Sequence, residues 1–157
     1  MTRTTDATPA GILHGQRTLV LATSDPDPWS APVYFVFRLG RLYFLSSPRS
    51  RHVTAALAGG RCAGSVHRDG GDWRDIVGLQ MEGAVVEVPE GPEAEEALAA
   101  YVGKFPAVKE LLGREAPGRR RFGEVLGARL YAFVPERAFH VDNRAGLVGR
   151  QEIPLPR

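Results

Sequence analysis

Cysteine is almost absent from this chain: Cys62 stands alone among 157 residues. That excludes an intramolecular disulfide and any multi-cysteine metal site. Set among apolar neighbours, Cys62 reads as a small buried side chain rather than a nucleophile. Also missing is any run approaching the roughly 18 uninterrupted apolar residues of a membrane helix. The start, MTRTTDATPAG, lacks the long apolar core of a signal peptide, so the expected location is cytoplasmic, with no membrane partner. Net charge is low, a formal +2. Arginine supplies most of the basic side chains, in local clusters at Arg49–Arg51 and Arg119–Arg121. Local clusters suit a discrete anionic ligand, whereas nucleic acid calls for a broad basic stripe, so no nucleic-acid partner is expected. No GxGxxG loop opens a helix after a strand, and no internal repeat is present. His14, His67 and His140 are far apart and lack cysteine or carboxylate companions at metal spacing, so no metal site is expected. Asp72, Asp75 and Glu82 do not make a carboxylate pair, and no catalytic acid or base is nominated.

What is present is strand and turn. A chain of this length reads as one domain over 1–157, with residues 1–11 and 153–157 as flexible ends. It should bury roughly 68–70% of its unfolded surface without a staple. Strands are expected over Thr18–Thr23, Ser30–Arg38, Arg41–Ser46 and Arg61–His67. A long one follows over Trp73–Val88, bent near Gly78 and Gly83, and a last over Ala128–Pro135, continued at Ala138–Val141 after an interruption. Leu39–Gly40 reads as a tight hairpin. Helical spacing marks Arg51–Ala58, Ala94–Val102 and Ala107–Leu112, and the segment before Thr18 can be helical. The tail DNRAGLVGRQEIPLPR is polar and turn-rich. Six short strands with short antiparallel connections and few helices predict an all-β-dominated, six-stranded antiparallel split barrel rather than a βαβ series.

The stretch RLYFLSSPRSRHVTAALAGGRCAGSV, Arg41 to Val66, changes period halfway. Its junction gathers Ser46, Ser47, Ser50, Arg49, Arg51 and His52 where a strand runs into a helix. Hydroxyls, guanidiniums and the free N–H groups of a helix start make an anion seat. A serine that caps the helix while the arginines are solvated explains the same residues equally well. Elsewhere, Trp29 and Tyr34 are candidates to cover a planar ligand, while Phe35 and Phe37 are expected in the core. Gln80 is a polar residue in an apolar strand whose amide needs partners. Glu82 is expected to bond Arg61 or Arg129, and Trp73 to be structural. GRRRF at 118–122 reads as a solvated basic loop or a phosphate contact.

Four motifs in order, SAPVYFVF at 30–37, LYFLSSPRSRH at 42–52, GLQMEG at 78–83 and VDNRAGLVGRQE at 141–152, resemble the pyridoxamine-5′-phosphate-oxidase-like, FMN-binding split β-barrel family. The similarity is greatest to small members with a G-L-Q-x-E-G strand and an ending near D-N-x-x-G. That resemblance implies a homodimer with two flavins, each in a groove at the subunit interface. It places Ala31, Pro32, Val33 and Tyr34 along the flavin ring and ribityl side, and Ser46 and Ser47 at the phosphate or ribityl chain. Arg51 and His52 match the basic pair at the helix start, and Gln80 falls near the ring or phosphate chain. Asn143 and Arg144 match a tail that reaches the partner's site. One position departs: where the family resembles Ser-Arg-Lys, this chain has Ser50-Arg51-His52. Nor is there an RLxP-like C-terminal segment, so pyridoxamine phosphate is not the expected substrate.

The function these readings imply is an FMN-dependent oxidoreductase of a small-molecule redox substrate. Related split barrels bind the deazaflavin F420 or haem, and a non-enzymatic flavin or haem storage protein is the alternative of a different class.

Overall fold

Alternating inward apolar residues build three successive antiparallel strands, β1 (Thr18–Thr23), β2 (Trp29–Arg38) and β3 (Arg41–Ser46). The computed structural model containing them describes residues 7–112, 123, 125–146 and 149–155. Leu39 and Gly40 both have positive φ, 51° and 73°, which matches the twist that a two-residue hairpin demands between β2 and β3. A helix, α1 (Pro9–Gly15), precedes β1, its start capped by Thr8, whose hydroxyl accepts from Gly11 N–H at 3.1 Å. The helix α2 (Arg51–Gly59) follows β3, and Gly60 ends it at a φ of 69°. The strands β4 (Cys62–Arg68) and β5 (Val77–Glu87) come next, then α3 (Pro92–Lys104), α4 (Pro106–Leu112), β6 (Arg129–Asp142) and β7 (Arg150–Ile153).

The ladder order β3-β2-β1-β4-β5-β6 closes through β3–β6, giving the expected six-stranded antiparallel barrel. A seventh strand, β7, pairs with the outer part of β6. The turn-rich tail gave no period-2 signal for it. Two further expectations need correction. Trp73 does not begin the long strand: Trp73–Asp75 is a 3₁₀ turn, held by a capping box between Asp72 and Asp75, and β5 starts at Val77. The interruption expected after Pro135 is a bulge inside one continuous strand. The register passes from Glu82 opposite Arg137 to Gly83 opposite Pro135, leaving Glu136 extra. Glycine is required at 83, because a Cβ there would run into the Val134 carbonyl.

Inside the barrel lies one core, including Leu19, Leu21, Phe35, Phe44, Leu79 and Phe133, plugged at one end by Val53 and Ala56 of α2. Outside it, α3 and α4 cover Val36, Tyr43, Leu130 and Ala132 with a second apolar layer. The Tyr43 hydroxyl donates to Glu93 of α3 at 2.8 Å, beside Arg41 at 2.9 Å, and burial pushes the phenol above its usual range. Glu93→Ala strips that buried hydroxyl of its acceptor and is expected to cost about 1–2 kcal/mol in urea unfolding. Glu93→Gln, which keeps an acceptor, should cost less.

Among the described residues, the rest of the outer surface carries no helix. One row across it runs Pro32, Val20, Ser65, Gln80 and Phe139, each facing the next through the ladders. No helix among the described residues is long and apolar enough to cross a membrane.

Candidate functional site

β2 is paired unequally along its two edges. Against β1 it is paired from Trp29 to Tyr34, whereas against β3 the ladder covers Phe35–Arg38 only. Continuing the β2–β3 register would set Val33 across from Ser46, but that ladder ends at Phe35 and Phe44, and Leu45 and Ser46 keep only the β6 pairing of the other edge. Backbone groups on that edge of Trp29–Tyr34 are therefore without a strand partner among the described residues. Ala31 and Val33 point their side chains inward, and Pro32 and Tyr34 point outward. What Ala31–Val33 present to this edge is main chain. Tyr34 is 58% exposed and stacks on Phe105, with ring centroids 4.9 Å apart.

The junction after β3 lies beside that edge. Ser50 occupies the N-cap position of α2, yet its side chain makes no capping bond. Its hydroxyl turns away to donate to the Ser47 carbonyl at 2.8 Å. It also meets Ser46 Oγ at 3.0 Å, and His52 Nε2 stands 2.8 Å from Ser46 Oγ and 3.3 Å from Ser50 Oγ. Of the two readings of the junction, capping by Ser50 fails, and the first-turn N–H groups of α2 have no side-chain cap. Ser47 is exposed, with its hydroxyl accepting from Arg49 N–H at 3.3 Å. Arg51 lies over the face of Trp29, its guanidinium carbon 4.2 Å from the ring centroid. Burial lowers the His52 pKa from its ordinary value and favours the neutral ring.

These residues therefore assemble at one end of the barrel: Ala31–Tyr34 by their edge, then Ser46, Ser47, Arg51 and His52. Trp29, a candidate cover for a planar ligand, and Ser50, one of the junction hydroxyls, join that group in the structure. An Arg51–Trp29 contact arises only because α2 docks on β2, and no spacing in the chain announces it.

The other expected site residues lie elsewhere on the same subunit. Gln80 is exposed on the helix-free face, three strands from Pro32, roughly 14 Å at about 4.8 Å per strand. It lines a depression of about 290 Å³ with Ala63, Phe139 and Arg150 among others. Asn143 and Arg144 follow the far end of β6. Measured along the strand, that is roughly 43 Å from Arg129, the partner of Ser46, at about 3.3 Å per residue. Asn143 donates to the Trp73 carbonyl at 2.9 Å, and Arg144 forms a 2.5 Å ion pair with Asp142. The Arg144 guanidinium holds the Asp142 carboxyl down to about 2.

Glu82 bonds neither Arg61 nor Arg129. It faces Arg137 at 3.5 Å, while Arg61 pairs with Glu136 and Arg129 with Glu87. Among the described residues no three His, Cys, Asp or Glu side chains gather in a group that could hold a metal ion. Burial pushes the Cys62 thiol up to about 11, which suits a packing role. Arg119, Arg120 and Arg121 lie outside the described residues.

No family model matches the sequence, and no curated protein matches it. Solved structures match its shape. A haem-binding protein from Mycobacterium smegmatis superposes with a TM-score of 0.68 at 17% identity over 98% of this chain, which spans 59% of that protein's length. HutZ, a haem storage protein from Vibrio cholerae, gives 0.64 at 16% identity, covering 79% of this chain and 85% of its own. A FAD-binding protein from Mesorhizobium loti gives 0.61 at 18% identity, with 82% and 86% covered. The likeness is one of fold. At these identities it carries the barrel and leaves the ligand to be argued from residues.

Proposed function

We propose that this chain is an FMN-dependent oxidoreductase of a small-molecule redox substrate, working as a homodimer with a cofactor groove at each side of the interface. The observation that carries the reading is the meeting of the unpaired β2 edge with the uncapped start of α2. A flavin needs both. Its ring edge carries donors and acceptors that backbone groups of Ala31–Tyr34 can satisfy, and its phosphate needs N–H groups and a cation. Ser46, Ser47, Arg51 and His52 would hold the phosphate end, with Arg51 free for a bidentate contact.

Bound FMN supplies hydride chemistry at its ring. The chain's own part is to orient the ring against the β2 edge and to shield it. No acid or base is assigned. A second copy gives the scattered residues a common purpose, because Gln80, Asn143 and Arg144 lie apart from the junction on their own subunit. The helix-free face of small residues around Val20, Ala63 and Ser65 is a suitable surface for that copy. Fold neighbours that bind FAD support a flavin reading, and those that bind or store haem favour haem as the second reading.

Absorbance of the purified protein separates these readings: flavin bands support FMN, and a Soret band supports haem. A colourless protein should be titrated with FMN and the deazaflavin F420. If neither binds at saturating concentration and no Soret band is present, the cofactor-dependent reading falls. Bound flavin that no nicotinamide or other donor reduces would shift the reading to storage. Sedimentation should report a dimer, and a monomer that still binds FMN tightly would remove the shared groove.

A further inference from the structure

His52 differs in kind from the guanidiniums beside it, because its charge is conditional. Counting protons among the hydroxyls settles which ring nitrogen carries one. Ser50 Oγ donates to the Ser47 carbonyl, which uses its only proton. Its contact with Ser46 Oγ must then be donated by Ser46, which uses that proton too. His52 Nε2 is left as the donor to Ser46 Oγ, with Ser50 Oγ as a longer second acceptor. The hydrogen bonds therefore run one way, from His52 through Ser46 and Ser50 to Ser47. Nε2 keeps its hydrogen in either charge state, and Nδ1 is the atom that titrates.

Charged groups stand on several of the elements around His52. Arg49 and Arg51 lie on its own segment. Arg129 of β6 stands opposite Ser46 and is bonded to Glu87 of β5 at 3.4 Å. Asp25, from the β1–β2 connection, lies against Gly59 at the other end of α2. Burial alone favours the neutral ring when no anion is beside it. A phosphate dianion reverses that preference.

We propose that a phosphate enters this seat together with a proton taken up at His52 Nδ1, so that His52 determines both the seat's selectivity for phosphorylated ligands and its pH dependence. The inference rests on the phosphate-seat reading above, and it concerns the one basic residue of the seat whose charge depends on pH near neutrality. The sign follows from linkage. The ring's pKa without ligand lies below its ordinary value, and with phosphate bound it rises. Between those two values affinity falls as pH rises, by up to about tenfold per unit. Below the lower value the ring is charged in both states, and above the higher one it is neutral in both. The ligand phosphate itself titrates near about pH 6, a contribution shared by every variant.

The test titrates the full chain with FMN, riboflavin and inorganic phosphate between about pH 6.5 and about pH 8.5, around the ordinary imidazole value. Wild type, His52→Gln and His52→Lys are compared, and nitrogen NMR follows the His52 ring with and without phosphate. Wild-type affinity for FMN and phosphate should fall with pH across part of this window. Both variants should lack that fall, His52→Lys should bind tightly throughout, and riboflavin should be indifferent to pH. Phosphate should raise the ring's pKa. The same pH slope in wild type and His52→Gln overturns the proposal, as does a ring pKa unmoved by saturating phosphate, a result that needs no variant to fold. PH-dependent phosphate binding without FMN binding upholds it while removing the flavin reading. FMN binding without a His52-dependent slope does the reverse. No binding of either ligand at millimolar concentration removes both.

Discussion

Arg51→Ala is expected to weaken FMN binding by about tenfold to a hundredfold and to leave riboflavin binding nearly unchanged. The magnitude follows from a charge-assisted hydrogen bond to phosphate, worth about 1.5–3 kcal/mol, with about 1.4 kcal/mol to a factor of ten. Arg51 suits that role because, among the described residues, its guanidinium meets the Trp29 ring and no carboxylate. Contact with a ring face does not consume the donors of the fork, so its N–H groups stay available for an anion. The contact with Trp29 is exposed and worth about 0.5–1 kcal/mol, so the fold should survive its loss. Arg51→Lys keeps the charge and loses the fork, and should fall between wild type and alanine. Flavin fluorescence titrations against both ligands give the ratio directly. Equal losses for FMN and riboflavin would mean that Arg51 steadies the ring side through Trp29 and does not hold phosphate. No loss for either would remove it from the site.

How much of this site was legible depends on whether its cause was local. The β2–β3 hairpin was readable because a two-residue turn at Leu39–Gly40 is decided by its own backbone, and Arg41–Ser46 came out with its observed bounds. The junction from Ser46 to His52 was readable as a concentration of hydroxyls and charge. Its meaning was not, because serine serves equally as a cap or as a ligand. The hydroxyl of Ser50 points back at Ser47, Ser46 and His52, which removes Ser50 as the cap of α2. Non-local features stayed hidden. The open edge of β2 begins where the β2–β3 ladder ends at Phe35 and Phe44, while the other edge of β3 is held by β6, a pairing between residues more than eighty positions apart. Likewise β7 owes its strand to an available edge on β6 rather than to its own sequence, RQEI. Trp73 misled for the opposite reason. Its aromatic ring looked like the start of a strand, while Asp72 and Asp75 on either side encoded a small turn.

Phe133→Ala should produce the largest loss of stability, about 3–5 kcal/mol. Phe133 is fully buried in β6, between Leu42 of β3 and Val85 of β5 on the ladders. Its ring also crosses the barrel: a Cβ added at Gly64 of β4 would lie 3.0 Å from Phe133 Cε1 and 3.1 Å from Leu19 Cδ1. Gly64 is thus the space into which this ring fits, and one side chain ties β6 to the opposite wall. Alanine leaves a cavity that the strands cannot close, because each is held in the ladder on both sides. Against a typical total of about 5–15 kcal/mol the loss is large, and it corresponds to a fall in Tm of roughly 6–20 °C for a chain of this size. Val86→Ala, next to the paired Val85 but on the exposed face, should change stability by only about 0.5 kcal/mol. Urea unfolding of both variants, without added cofactor and then with FMN, separates core from site. If FMN binds only the folded barrel, saturating ligand should restore part of the Phe133→Ala loss by mass action. A Phe133→Ala protein as stable as Val86→Ala would mean that the barrel interior is not packed around this ring.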